Sequence, residues 1–485
     1  MFTAAAGYFF KIYVARMLGA GALGIYALGM TIVGFFGLFN GLGLPQAAVR
    51  FVAAYSATQQ YQRLHAFLRR AIILLLGTNI LLAGLMITVG PWLARKLYQS
   101  PELVPYLRLF AIIVVTGAFG GFFGQVLAGY KDVALRTVVT SFIASPLNIV
   151  LGVIFLAAGM GLRGYVLAQV ASSLVVLCLL IAVAWKLTPP PARLLSSGPA
   201  PLEPEVFWFS AAVFGVSFLE YLLAQTDKIV MGAFLDVSQV GIYSIAGSLV
   251  TFVPVALQSV NQIFAPTIAD LHARHEQEVL GRIFQTLTKW IVAFTLPLAF
   301  VMIIYSKPLM RLFGPAFEAG WVVLILGALG QLINAGTGSV GYLLLMSGHQ
   351  KRLVRIQTIM AVFLVAVTLG LVRPFGMIGV AAAAALATAV TNYLCLKEVR
   401  AALGLSPYNR TYLRLIGPGF VSIVLVLCLR FFMVNVHPEW LMIGAALVLA
   451  YGTFGGLLMM IGLDDDDKMI VEAVGRRLLK ARGKA

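Results

Sequence analysis

The chain is 485 residues long, 61% hydrophobic and only 11% charged, with a formal net charge of +17 and a mean hydropathy of +0.95. A soluble globular chain carries about 25% charged residues, so this composition excludes an ordinary soluble domain and places the protein in a bilayer. No nucleic-acid-binding motif accompanies the basic surplus, which reads instead as loops facing anionic lipid.

The apolar runs are continuous and about 20 residues long, the length of a helix crossing a ~30 Å hydrocarbon core. The alternating ten-residue pattern of a membrane β-barrel is absent. Helices satisfy their own backbone in lipid, so the fold class is an all-α integral membrane protein. In chain order the predicted spans are 2–18, 22–44, 67–90, 104–128, 134–158, 162–185, 206–234, 239–264, 283–305, 319–346, 354–373, 377–396, 411–433 and 439–462. Residues 2–18 run into "ARMLG" rather than a small-residue cleavage site, so they read as a first span and not a removable signal.

Between the sixth and seventh spans lies "KLTPPPARLLSSGPAPLEPE", residues 186–205, whose Pro, Ser and Gly mark a linker. The expected organisation is an N-lobe of six spans over 1–185, a cytoplasmic linker over 186–205 and a C-lobe of six spans over 206–400. Two extra spans over 401–463 and a basic cytoplasmic tail over 464–485 follow. With the N-terminus inside, 23 of the 35 Lys and Arg fall on the inner side and nine outside; Lys11, Lys228 and Lys289 fall within spans. That bias predicts cytoplasmic termini at both ends. The run Asp464–Asp467 reads as an acidic helix start, favoured by the positive end of the helix dipole. The basic residues after it read as a membrane-surface helix.

Cys178, Cys395 and Cys428 lie in apolar runs without metal-ligand spacing and read as packing residues. His272 and His275 form an HxxH with no further ligands apparent, which reads as a solvated helix end. No Ser-His-Asp set, P-loop or dinucleotide fingerprint is present, so the chain is not expected to be an enzyme, and no cofactor or metal is expected.

The two halves repeat each other. "VARMLGAGALGIYALGM" (14–30) aligns without gaps to "MGAFLDVSQVGIYSIAG" (231–247), placing Gly24-Ile25-Tyr26 on Gly241-Ile242-Tyr243 and Lys11 on Lys228. "AGYKDVALR" (128–136) matches "SGHQKRLVR" (347–355), and Gly164 matches Gly379. Six spans separate the copies, so both enter the membrane from the same side. Parallel repeats of this kind leave a cavity between the lobes, where transporters place their substrate.

These motifs, "RMLGAGALGIYALG", its echo "DKIVMGAFLDVSQVGIYSIA", the two loops and the 12+2 layout, resemble the polysaccharide transporter branch of the MOP flippase superfamily, which includes Wzx O-antigen flippases. MurJ-type lipid II flippases and MATE drug antiporters are sister branches. The resemblance implies flipping of polyprenyl-pyrophosphate-linked glycans across the cytoplasmic (inner) membrane by alternating access. Its implied partners are that lipid-linked glycan, membrane lipids and a glycan polymerase or export machinery. The driving force it implies is H⁺, Na⁺ or the membrane potential. A lipid II flippase and a MATE-like antiporter remain alternatives, since fold alone does not decide cargo.

A charge at membrane depth costs roughly 2.5 kcal/mol or more and normally faces protein or water. Lys11 and Lys228 have two readings. They snorkel to the outer interface, or they face one cavity from equivalent repeat positions and bind a phosphate-bearing headgroup. Glu220 and Asp227, seven apart on one helix face, either take up the coupling ion or balance Lys228 and its neighbours. Arg16 and Arg50 guard the two mouths of the cavity or act only as topology signals. Gln258, Asn261 and Gln262, between Pro254 and Pro266, share one side of the eighth span, where they line a wet cavity or bond between helices. The prolines predict a bending element. Asn40, Gln46, Gln125 and Asn148 are weaker polar candidates in the first lobe.

Overall fold

A computed structural model of the chain describes residues 2–190, 192, 204–432, 439–462, 464 and 467. Among the described residues the secondary structure is helical, with no strand. Among the described residues, ten helical stretches are long and apolar enough to cross a membrane, and the pair Val237–Val250 and Val255–Ala273, bent by 53°, makes an eleventh if taken as one span. Two stretches are too long for one crossing. Phe2–Asn40 (39 residues) and Gln350–Leu403 (54 residues) would measure about 58 and 81 Å if straight. Each is broken by a glycine outside helical geometry, Gly19 (φ 75°) and Gly376 (φ 57°). Only glycine adopts such angles without strain, so a single residue kinks the chain between two spans. With both breaks counted and Pro204–Phe234 included, the helices of the described residues divide into fourteen membrane-length pieces.

The chain packs into two compact units, Met1–Ile242 and Tyr243–Ala485. The expected linker, 186–205, lies mostly outside the described residues. At its start, the His65 ring nitrogen Nδ1 sits 2.5 Å from the Ala192 carbonyl.

In the first unit, Leu107–Gly129 packs against Leu44–Ala57 and Gly161–Leu187. Its core is Leu44, Ala48, Phe51, Phe67, Phe122 and their neighbours. Phe67 meets Phe51 and Phe122 at ring separations of 6.0 and 6.5 Å. Pro204–Phe234 packs on Phe2–Asn40 within this unit. Its Tyr221 donates a hydrogen bond to the Thr31 carbonyl (2.8 Å) and rests where Gly34 has no side chain.

In the second unit, Trp321–Thr337 packs against Gln277–Ile304 and Gln350–Leu403. The last two spans, which have no counterpart in the repeat, are tied to the Gln277–Ile304 region at both ends and in the middle. Arg311 bonds Glu318 (2.7 Å) and Glu439 (3.1 Å). Tyr451 donates to the Phe294 carbonyl (2.8 Å). Lys289 meets Asp464 and Asp467.

The repeat is visible in local geometry. Short 3₁₀ segments, Pro101–Tyr106 and Pro315–Gly320, precede equivalent spans. Gly164 follows the turn at 158–160 and Gly379 the kink at Gly376, and neither leaves room for a side chain. A Cβ at Gly164 would lie 3.2 Å from the Phe155 carbonyl, and one at Gly379 2.2 Å from that of Leu371. Close helix packing is the physical content of that sequence match.

Candidate functional site

Lys11 and Lys228 are both in the first unit, on two helices that pack together. Lys11 is exposed and Lys228 half-buried. They lie within range of each other's charge. Lys228 Nζ donates to Gln225 Oε1 (3.0 Å), one helical turn away. Its backbone N–H donates to Asp227 Oδ1 (2.7 Å). Two like charges held near each other form a place that favours an anion.

Glu220 is exposed and makes no ion pair with the described residues, whereas Asp227 is half-buried. Glu220 lies 16 residues into Pro204–Phe234, well inside the apolar thickness. A carboxylate at membrane depth normally faces protein or water rather than lipid. Arg16 is exposed three residues before the Gly19 break. Arg50 is exposed and lies over the Phe51 ring at 5.3 Å.

Beside Lys11, Phe10 is buried and meets the Tyr165 ring at 6.2 Å. Tyr165 in turn packs edge-on against Tyr26 (4.9 Å). The Tyr26 hydroxyl bonds Tyr165, which also accepts from Gln169 Nε2 (3.4 Å). This wall went unnoticed in the sequence, where tyrosines in apolar runs look like ordinary packing.

The weaker polar candidates separate. Asn40 donates to the Val114 carbonyl (3.1 Å), and its own carbonyl accepts from buried Asn79 (2.9 Å). Gln125 accepts from Arg136 (3.0 Å). These bonds pin helices together. Gln46 is exposed. Asn148 Oδ1 is buried without a hydrogen-bond partner.

Gln258, Asn261 and Gln262 belong to the second unit and do not share one environment. Gln258 and Gln262 are exposed, while Asn261 is 8% exposed and its Oδ1 lacks a partner. The side assigned to all three from helical spacing is divided by the packing of Leu257 and Val260 onto Ile291 and Ala335. The predicted bend is at Thr251–Pro254, with Pro254 at the start of the second helix.

The acidic run has a different role from the expected helix start. Asp467 is 4% and Lys289 9% exposed, and they pair at 2.7 Å. Asp464 joins Lys289 at 3.1 Å and also binds Arg414. Trp290 Nε1 donates to Asp467 Oδ1 (3.0 Å). Ion pairing within the second unit, rather than a helix dipole, engages these two carboxylates. The basic membrane-surface helix expected after them lies outside the described residues. Among the described residues, no group of three or more His, Cys, Asp or Glu is placed to hold a metal ion.

Residues 13–318 match the sequence profile of the family described as "Polysaccharide biosynthesis protein". The chain belongs to this family. It is also 25% identical over 323 residues to the succinoglycan biosynthesis transport protein ExoT of Rhizobium meliloti (strain 1021), covering 66% of this chain. The match spans 61% of that relative's length. The fold is similar to that of the lipid II flippase MurJ in an inward closed conformation, at a TM-score of 0.73 and 14% identity, over 94% of this chain and 97% of MurJ. It is also similar to an inward-facing MATE multidrug resistance transporter of the MOP superfamily, at a TM-score of 0.67 and 15% identity, over 83% and 94% of the two chains. The fold is that of the MurJ and MATE transporters, and the chain, with its many apolar helices, is a multi-pass membrane protein.

Proposed function

We propose that the protein flips polyprenyl-pyrophosphate-linked glycans across the cytoplasmic membrane, with both termini inside. The observation that carries this reading is the pair Lys11 and Lys228. They occupy equivalent repeat positions, within range of each other's charge, in a polysaccharide biosynthesis family member. A pyrophosphate is the natural bridge between two ammonium groups, since each gains a charge-assisted hydrogen bond and their mutual repulsion is relieved. A drug antiporter selecting organic cations would be opposed by the same two charges. Arg16 guides the anion from the Gly19 end and Arg50 from the other.

Alternating access carries the headgroup past this pair while the prenyl chain stays in lipid. Glu220 and Asp227 set the charge of the path and are the candidate carriers of a coupling proton or Na⁺. Gln258, exposed on its helix, supplies an amide group for sugar hydroxyls. The lobes are 1–185 and 206–400, with 401–463 as an added helix pair and 464–485 as a tail. Glycan polymerase or export proteins are the expected macromolecular partners, and no catalytic step is required.

Native mass spectrometry of the purified protein, with released lipid identified, tests the reading. A co-purifying polyprenyl-pyrophosphate glycan that disappears in the Lys11→Ala/Lys228→Ala double variant is the expected result. Retention of that lipid by the double variant would remove the lysines from the site. Binding of organic cations with only bulk phospholipid present would remove the flippase reading itself.

A further inference from the structure

Gly24 and Gly241 occupy the same position of the repeat, 217 residues apart in sequence. In the fold they meet at one crossing. A Cβ on Gly24 would lie 1.8 Å from the Val237 carbonyl oxygen and 2.6 Å from its carbon. A Cβ on Gly241 would lie 2.1 Å from the Ala20 carbonyl oxygen and 2.8 Å from the Gly24 amide nitrogen. Backbone meets backbone in both directions, so no flexible side chain is available to make room. The requirement is local to these two positions. Gly21 and Gly247, on the same two helices, have open space where a Cβ would be.

The crossing involves the first turns of two helical segments, each beginning just after a break in the helix. One follows Gly19. The other is Val237–Val250, which begins after Asp236. Lys11 lies eight residues before Gly19 and Lys228 eight before Asp236, so each cation sits about 12 Å along its helix from the break that precedes the crossing. Ala20 and Leu23 are each 8% exposed and Val240 is fully buried, so the crossing is dry. Among the described residues, no hydrogen bond or ion pair joins residues 20–24 to 237–242. Helices that approach through glycine are held by van der Waals contact and weak Cα–H···O bonds. Such a contact excludes water when shut and leaves no buried polar group or charge unpartnered when it separates.

The geometry points to the Gly24–Gly241 crossing as a reversible seal. It closes the path to Lys11 and Lys228 from the Gly19 and Asp236 end, and it parts once in each transport cycle. The inference rests on the transport reading above. It explains why the Gly-Ile-Tyr motif appears in both repeats: each copy supplies the surface on which the other closes.

The test uses full-length protein in nanodiscs, with Cys178, Cys395 and Cys428 replaced by Ser and Ala20→Cys as a buried reporter. The probe is a membrane-impermeant maleimide, which reaches both faces of a nanodisc. In this parent the reporter is expected to label slowly, as the seal opens from time to time. Gly24→Ala and Gly241→Ala prevent close approach and are expected to speed labelling several-fold. Gly21→Ala and Gly247→Ala change helix propensity equally but fill open space, and are expected to leave the rate unchanged. Equal rates in all four variants would overturn the seal. Complete protection of the parent reporter over hours would overturn its parting, and this arm needs no glycine variant to fold. Lipid-linked glycan transport is measured on the same preparations. If none transports, yet labelling rises only in the Gly24 and Gly241 variants, the closure contact stands and the transport reading falls.

Discussion

Replacing Lys289 with Met is predicted to destabilise the second unit more than any surface charge change. Lys289 Nζ touches Asp467 at 2.7 Å and Asp464 at 3.1 Å. Its side chain is 11% exposed and that of Asp467 6%. Removing one partner of a buried pair costs about 3–5 kcal/mol, because the other charge is left desolvated and unpaired. Two features place this case at the lower end. Asp464 keeps Arg414, and Asp467 keeps the Trp290 N–H (3.0 Å) and the Asp464 backbone N–H (3.1 Å). A loss of about 3 kcal/mol in a unit of this size corresponds to a fall of roughly 6–12 °C in Tm. Thermal unfolding of the detergent-purified protein, followed by Trp fluorescence, measures it. Adding Asp467→Asn to Lys289→Met removes the stranded charge and should recover more than half of the loss. A Lys289→Met Tm within about 1 °C of the parent, a change too small for a lost buried pair, would refute the reasoning. So would a double variant as unstable as the sum of the singles.

Gly379→Ala places a methyl 2.2 Å from the Leu371 carbonyl and should cost about 1–3 kcal/mol as overpacking. Gly341→Ala enters open space and should be neutral in the same unfolding assay; equal effects would show that propensity rather than contact decides. If Glu220 takes up the coupling proton, Glu220→Gln should make proteoliposome transport insensitive to an imposed proton gradient. Unchanged sensitivity removes Glu220 from coupling.

The bilayer, the helical class and the position of most spans were legible in the sequence alone. Uninterrupted apolar runs of bilayer length have one economical backbone solution in lipid. The repeat was legible too, because matching motifs such as Gly24-Ile25-Tyr26 and Gly241-Ile242-Tyr243 recur in order. The bend was signalled by Pro254, since proline interrupts a helix through its own chemistry. All of these are local properties of neighbouring residues.

Only the tertiary structure decided which distant residues meet. Lys289 looked like one more lysine in an apolar span, and Asp464 and Asp467 like a helix start. Their pairing joins positions 175 and 178 residues apart, and no periodicity encodes it. Gln258, Asn261 and Gln262 share a side of an ideal helix, yet packing onto Ile291 and Ala335 buries one and exposes two. The two glycines of the repeated motif were visible as an echo, but their backbone contact was not. A helix pattern states which side of each helix is apolar; it does not state which two helices cross, or at which residue they come close enough that only hydrogen fits between them.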